Sequence, residues 1–206
     1  MKYTTGQINR DSLLGNFIFA MVLKNQEIKT IVESGTWNGL GTTKCVLDAL
    51  RPDQEFWSIE LYGDMYLEAL ENNIKWQKDP RVHFLKGAVV SFEETKWFDH
   101  STLDLQNDPH AALWYLKDMS NLRSCENILK DLPPNIDLLI LDGGEYSTYP
   151  EWVNLKDRTK IVVLDDTAIL KCSRIVSELS KDPTYTCIYN APTERNGFAI
   201  YEKNSK

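Results

Sequence analysis

Five short apolar runs, each closing on an acid or near a glycine, constrain this chain more than any other feature. They are "TIVESG", "EFWSIEL", "VHFLKG", "IDLLILDGG" and "KIVVLDD". Their length and β-branched content suit buried strands. Between them, "GTTKCVLDAL" and "DMYLEALENNIKWQ" carry apolar residues at helical spacing, and "AILKCSRIVSELSKD" follows the last run in the same pattern. Strands joined by helices are βαβ units, so the expected fold is α/β with a mainly parallel sheet covered on both faces. "TYTCIYNA" and "GFAIYEK" flank a turn-rich "PTERN", which predicts a terminal hairpin adding an antiparallel strand.

The 206 residues suit a single domain, 1–206, with a helical segment over 1–27. Residues 95–135 exceed what one crossover helix needs and read equally well as a helical lid or a surface insertion. A net charge of −7, without any Lys/Arg run, argues against nucleic acid as a partner. It favours a small molecule or a neutral glycan. "LLGNFIFAMVL" lacks a cleavage site and ends too early at Lys24 to span a membrane. An apolar helix capped by Asp11 explains it better, and an exposed apolar face over 12–25 would favour a homodimer. Cys45, Cys125, Cys172 and Cys187 form no CxxC pair, and the three histidines supply no zinc spacing. Reduced thiols in a cytoplasmic protein are the expectation.

Ligands of open α/β sheets gather at the carboxyl ends of the strands. Those ends here carry Glu33 with Gly35, then Glu60, Gly87, Asp142-Gly143-Gly144-Glu145 and Asp165-Asp166. One such acid is ordinarily a helix cap. A row of them repels itself unless cations, hydroxyls or amines sit among them, which points to a site. The bend "ESGTWNGLG" departs from the G-x-G-x-x-G that cradles a pyrophosphate, and Glu33 at its entrance suits an ammonium instead. Glu60 is placed to accept from ribose hydroxyls. An adenosine that carries an amino acid rather than phosphates is S-adenosylmethionine.

"ESGTWNGLGTT" resembles the first motif of class I methyltransferases, in the form typical of cation-dependent O-methyltransferases. The order of motifs is similar over residues 28–170. The resemblance implies a Rossmann-like fold with a seven-stranded sheet and S-adenosylmethionine bound by Glu33, Gly35, Thr36, Trp37, Gly39, Glu60, Gly87, Ala88 and Asp142, with Val89 beside Ala88 in the adenine lining. "DLLILDGGEYSTY" and "VVLDDTAI" resemble the strand-four and strand-five motifs of catechol and macrocin-type sugar O-methyltransferases. By that likeness Asp142, Asp165 and Asp166 would hold Mg²⁺ (or Mn²⁺ or Ca²⁺), an oxygen-rich set suited to a hard cation. The paired acids of the fifth run match the sugar-type enzymes.

One position departs from the pattern. The family's base, Lys or His, stands three residues after the strand-four Asp, where this chain has Glu145. Glu145 reads as general base, fourth metal ligand or plain loop acid, with Asp142 beside it in the chemistry. Tyr146 and Tyr149 could line an acceptor pocket or pack as core, Trp37 could cover the cofactor or the sheet edge, and Lys171 and Arg174 read as surface charges. The expected activity is O-methylation of a sugar or glycan hydroxyl. A catechol or phenol methyltransferase, a noncatalytic S-adenosylmethionine sensor and a dehydrogenase remain open.

Overall fold

The computed structural model describes residues 7–98 and 109–204. Seven strands form one sheet: β1 Thr30–Ser34, β2 Glu55–Glu60, β3 Val82–Lys86, β4 Ile136–Leu141, β5 Thr159–Asp165, β6 Tyr185–Ala191 and β7 Phe198–Lys203. Their order is β3-β2-β1-β4-β5-β7-β6. The first five run parallel, and β7 pairs antiparallel with both β5 and β6. This is the α/β architecture expected from the sequence, hairpin included. Strand order reverses between β1 and β4, which sets a ligand crevice at their carboxyl ends.

The helices are α1 Leu13–Lys24, α2 Thr42–Leu47, α3 Gly63–Asn72, α4 Pro109–Ser124, α5 Thr148–Leu155 and α6 Leu170–Leu179. Strand alternation sorts the core into two layers. Ile31, Leu138, Ile140, Ile161 and Val163 pack with α1 and α2 through Ile18, Val22 and Val46. Val32, Leu139, Leu141, Val162 and Leu164 face the other way, toward Met119, Trp152 and Ile175 of α4, α5 and α6. Burying both faces of the sheet is what a parallel arrangement requires.

Two local expectations change. Ser12, not Asp11, caps α1: its Oγ accepts from the Gly15 N–H at 3.1 Å, because a capping oxygen must sit directly before the first helical residue. The second helical stretch stops at Asn72, where Asn73 turns the chain and its amide donates to Gly39 and Ala69 carbonyls. Of the suspected lid, residues 99–108 lie outside the described residues. Its longest described element is α4, seated on the core through the buried Met119 and Leu122. No helix among the described residues is long and apolar enough to cross a membrane.

Candidate active site

The crevice at the strand ends holds a cavity of about 470 Å³. Its walls include Gly35, Thr36 and Trp37 of the bend, Glu60 of β2, Gly87 and Ala88 after β3, and Asp142 after β4. Glu145, Asp165 and Asp166 add three more of the acids foreseen from sequence, so one cavity gathers most of the expected site.

The bend is held by close packing against β4. Gly35 has φ +100°, and a Cβ there would lie 2.2 Å from the Asp142 carbonyl oxygen. Only glycine permits that conformation and that approach. Glu60 shapes the next wall. Its carboxylate accepts from the Trp37 N–H at 2.6 Å and the Tyr62 N–H at 2.8 Å, and each oxygen keeps further lone pairs. Burial raises its pKa to about 7 against those two backbone donors. Trp37 adopts a left-handed φ of +53°, a strain that the bend and the Glu60 bond hold in place. A narrow backbone cradle beside a ribose-type acid fits an adenosine carrying an amino acid.

Three expected residues fall elsewhere. Glu33 is fully buried and is absent from the cavity wall. Alternation along β1 turns it toward α2, where one carboxylate oxygen accepts from Thr43 Oγ1 at 2.7 Å and Ser58 Oγ at 2.5 Å. The other, Oε1, has no partner among the described residues, and burial pushes the pKa up to about 8. Glu33 therefore stands behind the bend rather than in the cavity wall. Gly39, with φ +73°, also leaves the cavity to α3: a Cβ there would run into Asn73 Nδ2 at 2.3 Å. Val89 lies in the core. Tyr146 and Tyr149 do not reach the cavity either; Tyr146 is core, and Tyr149 sits under the Arg174 guanidinium, 4.0 Å from its ring centre.

In the β4–β5 half the expected acids come together, but with a partner that the sequence reading had put on the surface. Asp142, Asp165 and Asp166 do meet, each offering an oxygen within 4.8 Å of the others. Lys171, read as a surface charge, is in fact buried among them. Its Nζ donates to Asp142 Oδ1 at 2.7 Å and Asp166 Oδ2 at 2.9 Å. Burial opposes its charge, yet the surrounding carboxylates hold its pKa above the usual lysine value. From the β6–β7 turn, Arg195 donates to Asp165 Oδ2 at 2.9 Å and Asp166 Oδ1 at 3.2 Å. Asn196 adds a bond to Asp166 Oδ1 at 3.1 Å, and Thr42 one to Asp142 Oδ2 at 3.1 Å. Burial and the Asp142 charge raise Asp165 to about 7. Asp166 goes the other way: burial notwithstanding, Lys171 and Asn196 hold it below the usual carboxylate range.

These bonds bear directly on the expected metal. Mg²⁺ wants roughly six oxygens in near-octahedral array. Here five of the six carboxylate oxygens already accept from Lys171, Arg195, Asn196 or Thr42. A divalent ion would have to displace a buried ammonium, and breaking a buried pair that way costs about 3–5 kcal/mol. The residues, as arranged, do not fit a resident divalent metal.

Two further acids join the wall without any motif to announce them. Asp118 of α4 is buried, accepts from the Tyr62 hydroxyl, and is raised to about 6 by burial. Glu151 of α5 is buried and accepts from Ser34 Oγ at 2.7 Å. Both stand in helices whose facing depends on how the helix docks, so spacing alone could not have placed them at the cavity.

No protein-family model matches this sequence, and no curated protein does. Solved structures do. An S-adenosylhomocysteine-bound methyltransferase from Podospora anserina superposes with a TM-score of 0.63 at 14% identity, covering 93% of this chain and 78% of its own. The O-methyltransferase TomG of Streptomyces achromogenes, in complex with S-adenosylmethionine, gives 0.61 at 14%, covering 93% and 79%. An O-methyltransferase from Bacillus cereus bound to S-adenosylhomocysteine gives 0.60 at 14%, covering 92% and 80%. The chain has the Rossmann-like fold that these class I methyltransferases share.

Proposed function

We propose that this chain is an S-adenosylmethionine-dependent O-methyltransferase acting on a hydroxyl of a sugar or glycan. The observation that carries the proposal is the single cavity joining the Gly35 bend and the Glu60 ribose acid to the Asp142–Asp165–Asp166 cluster. At about 470 Å³ it lies within the usual range of ligand sites, roughly 300–1,000 Å³. S-adenosylmethionine, when bound, supplies a methyl already activated on a sulfonium.

The chain's own groups then have three tasks. Gly35, Thr36, Glu60 and Ala88 orient the cofactor, and much of the acceleration comes from alignment of this kind. The acid-rich half of the cavity favours the sulfonium charge. Glu145, half-buried in the wall, takes the hydroxyl proton as the oxygen bonds to the methyl carbon and the carbon–sulfur bond breaks. The indoles of Trp37 and Trp114 in the same wall offer flat apolar faces to a sugar ring, while carboxylates and Arg195 meet its hydroxyls.

The test is a methyl-transfer screen with labelled S-adenosylmethionine over neutral sugars, glycans, catechols and phenols. Transfer to sugar hydroxyls, reduced by about 100-fold or more in Glu145→Gln, is the expected outcome. Transfer confined to catechols would move the acceptor to the aromatic class. Tight cofactor binding in calorimetry with no transfer to any acceptor would instead mark a sensor.

A further inference from the structure

The acid cluster behaves as a cation site that the chain fills with its own side chain. We propose that the Lys171 ammonium permanently occupies the place a divalent ion would take, and that it holds the acceptor oxygen during a metal-independent transfer. The inference rests on the function proposed above for its chemistry, but its geometry stands alone.

Three observations converge. Lys171 Nζ bridges Asp142 and Asp166, the two carboxylates on either side of the β4–β5 pair, at 2.7 and 2.9 Å. Its side chain is only 8% exposed, so it has little room to swing into water and make way for an ion. It also forms part of the cavity wall. An ammonium has three N–H donors, and two are spent on Asp142 and Asp166, which leaves one for a ligand in the cavity.

The position of Lys171 would otherwise be a poor one for a cation. It stands in the first turn of α6, where the helix dipole favours negative charge. Three carboxylates overcome that preference. The side chain is thus held for what surrounds it rather than for the helix that carries it.

Charge and chemistry agree with the assignment. Lys171 and Arg195 against Asp142, Asp166 and an ionised Asp165 leave one negative charge, a match for one sulfonium. A divalent ion added to the same set would reverse that sign. In the transfer step the hydroxyl proton passes to Glu145 while the oxygen closes on the methyl carbon. The carbon–sulfur electron pair stays on sulfur, giving the thioether. Lys171 keeps its proton throughout and donates a hydrogen bond to the oxygen as its charge develops.

Mn²⁺ titration followed by electron paramagnetic resonance tests this without any acceptor. The unmodified chain should bind Mn²⁺ at least about 100-fold more weakly than Lys171→Met, in which the three carboxylates are released. Lys171→Gln serves in its place where circular dichroism shows Lys171→Met unfolded. Tight Mn²⁺ binding by the unmodified chain overturns the proposal, as does equally weak binding by chain and folded variant. In the transfer assay the rate should be the same with EDTA as with Mg²⁺, and a rate abolished by EDTA also overturns it. Absence of all transfer would sink the methyltransferase reading, while the Mn²⁺ comparison would still decide whether Lys171 holds the ion's place.

Discussion

The two halves of the cavity rim use the same residue type, a strand-end acid, in opposite ways. On the β1–β2 side, Glu33 and Glu60 accept only from hydroxyls and backbone N–H groups. Neutral donors do not offset burial, so both carboxyls rise, to about 8 and about 7. On the β4–β5 side, Asp142 and Asp166 are bridged by Lys171, and Arg195 ties Asp165 to Asp166. Paired charge lets Asp166 stay ionised below the usual range in spite of burial. One half is therefore a set of acceptors with neutral partners only. The other is an ion network, in which Asp165 is the member whose carboxyl rises, to about 7. A cofactor with ribose hydroxyls at one end and a sulfonium near the other would use both.

Four experiments would break or sharpen that contrast. The largest effect is expected from Lys171→Met, which leaves the buried Asp165 and the half-buried Asp142 and Asp166 facing one another around Arg195. Denaturant unfolding should show a loss of about 3–5 kcal/mol; a loss under 1 kcal/mol would mean the network is not what holds this half together. Gly35→Ala strikes the seam between the halves, because the added methyl would meet the Asp142 carbonyl in a backbone conformation that L-residues avoid. It should cost about 3 kcal/mol and abolish cofactor binding in calorimetry. Retention of both stability and binding would contradict the close approach described for this bend.

A smaller effect separates the halves by pH. Between the ordinary carboxyl range and about 8, the folded chain holds a proton on Glu33 that the unfolded chain has released. The folded state binds more protons there, so stability falls as pH rises through that window. Melting temperatures taken from pH 5 to pH 8 should drop by several degrees, on the order of 2 kcal/mol from Glu33, and Glu33→Gln should make the slope shallower, leaving the parts due to Glu60 and Asp165. An unchanged slope in the variant would remove Glu33 as its source. Smallest is Glu60→Gln, expected to weaken S-adenosylmethionine binding roughly 10-fold, or about 1.4 kcal/mol, at pH 8. The unmodified chain should itself bind more weakly at pH 6, as Glu60 gains a proton. Parallel pH curves for the two would disprove its part.

Much of this was legible in the sequence. Five apolar runs ending in acids, separated by helical periodicity, were enough for a parallel sheet with a ligand rim at its carboxyl edge. The glycine spacing of "ESGTWNGLG" and the later "LDGGE" and "LDD" runs were enough to expect Glu60, Asp142, Asp165 and Asp166 at one cavity. What failed was orientation. Glu33 shares the α2 face with Ile31 by the two-residue period of β1, whereas the strand ends at Ser34 and the left-handed Gly35 carries the chain into the cavity bend.

The partners of the acids were hidden for a different reason. Lys171 lies 29 residues from Asp142, Arg195 lies 30 from Asp165, and Asp118 lies 56 from Tyr62. No local period links such pairs. They meet because α6, the β6–β7 turn and α4 dock where hydrophobic burial sends them. By itself the sequence determined which strands and helices form, since backbone preference and apolar spacing act over a few residues. It also determined that acids would crowd one edge. Only the tertiary structure decided what stands among those acids, because charge pairing at 3 Å depends on the docking of elements remote in the chain. That docking put an ammonium where the motif had implied a metal.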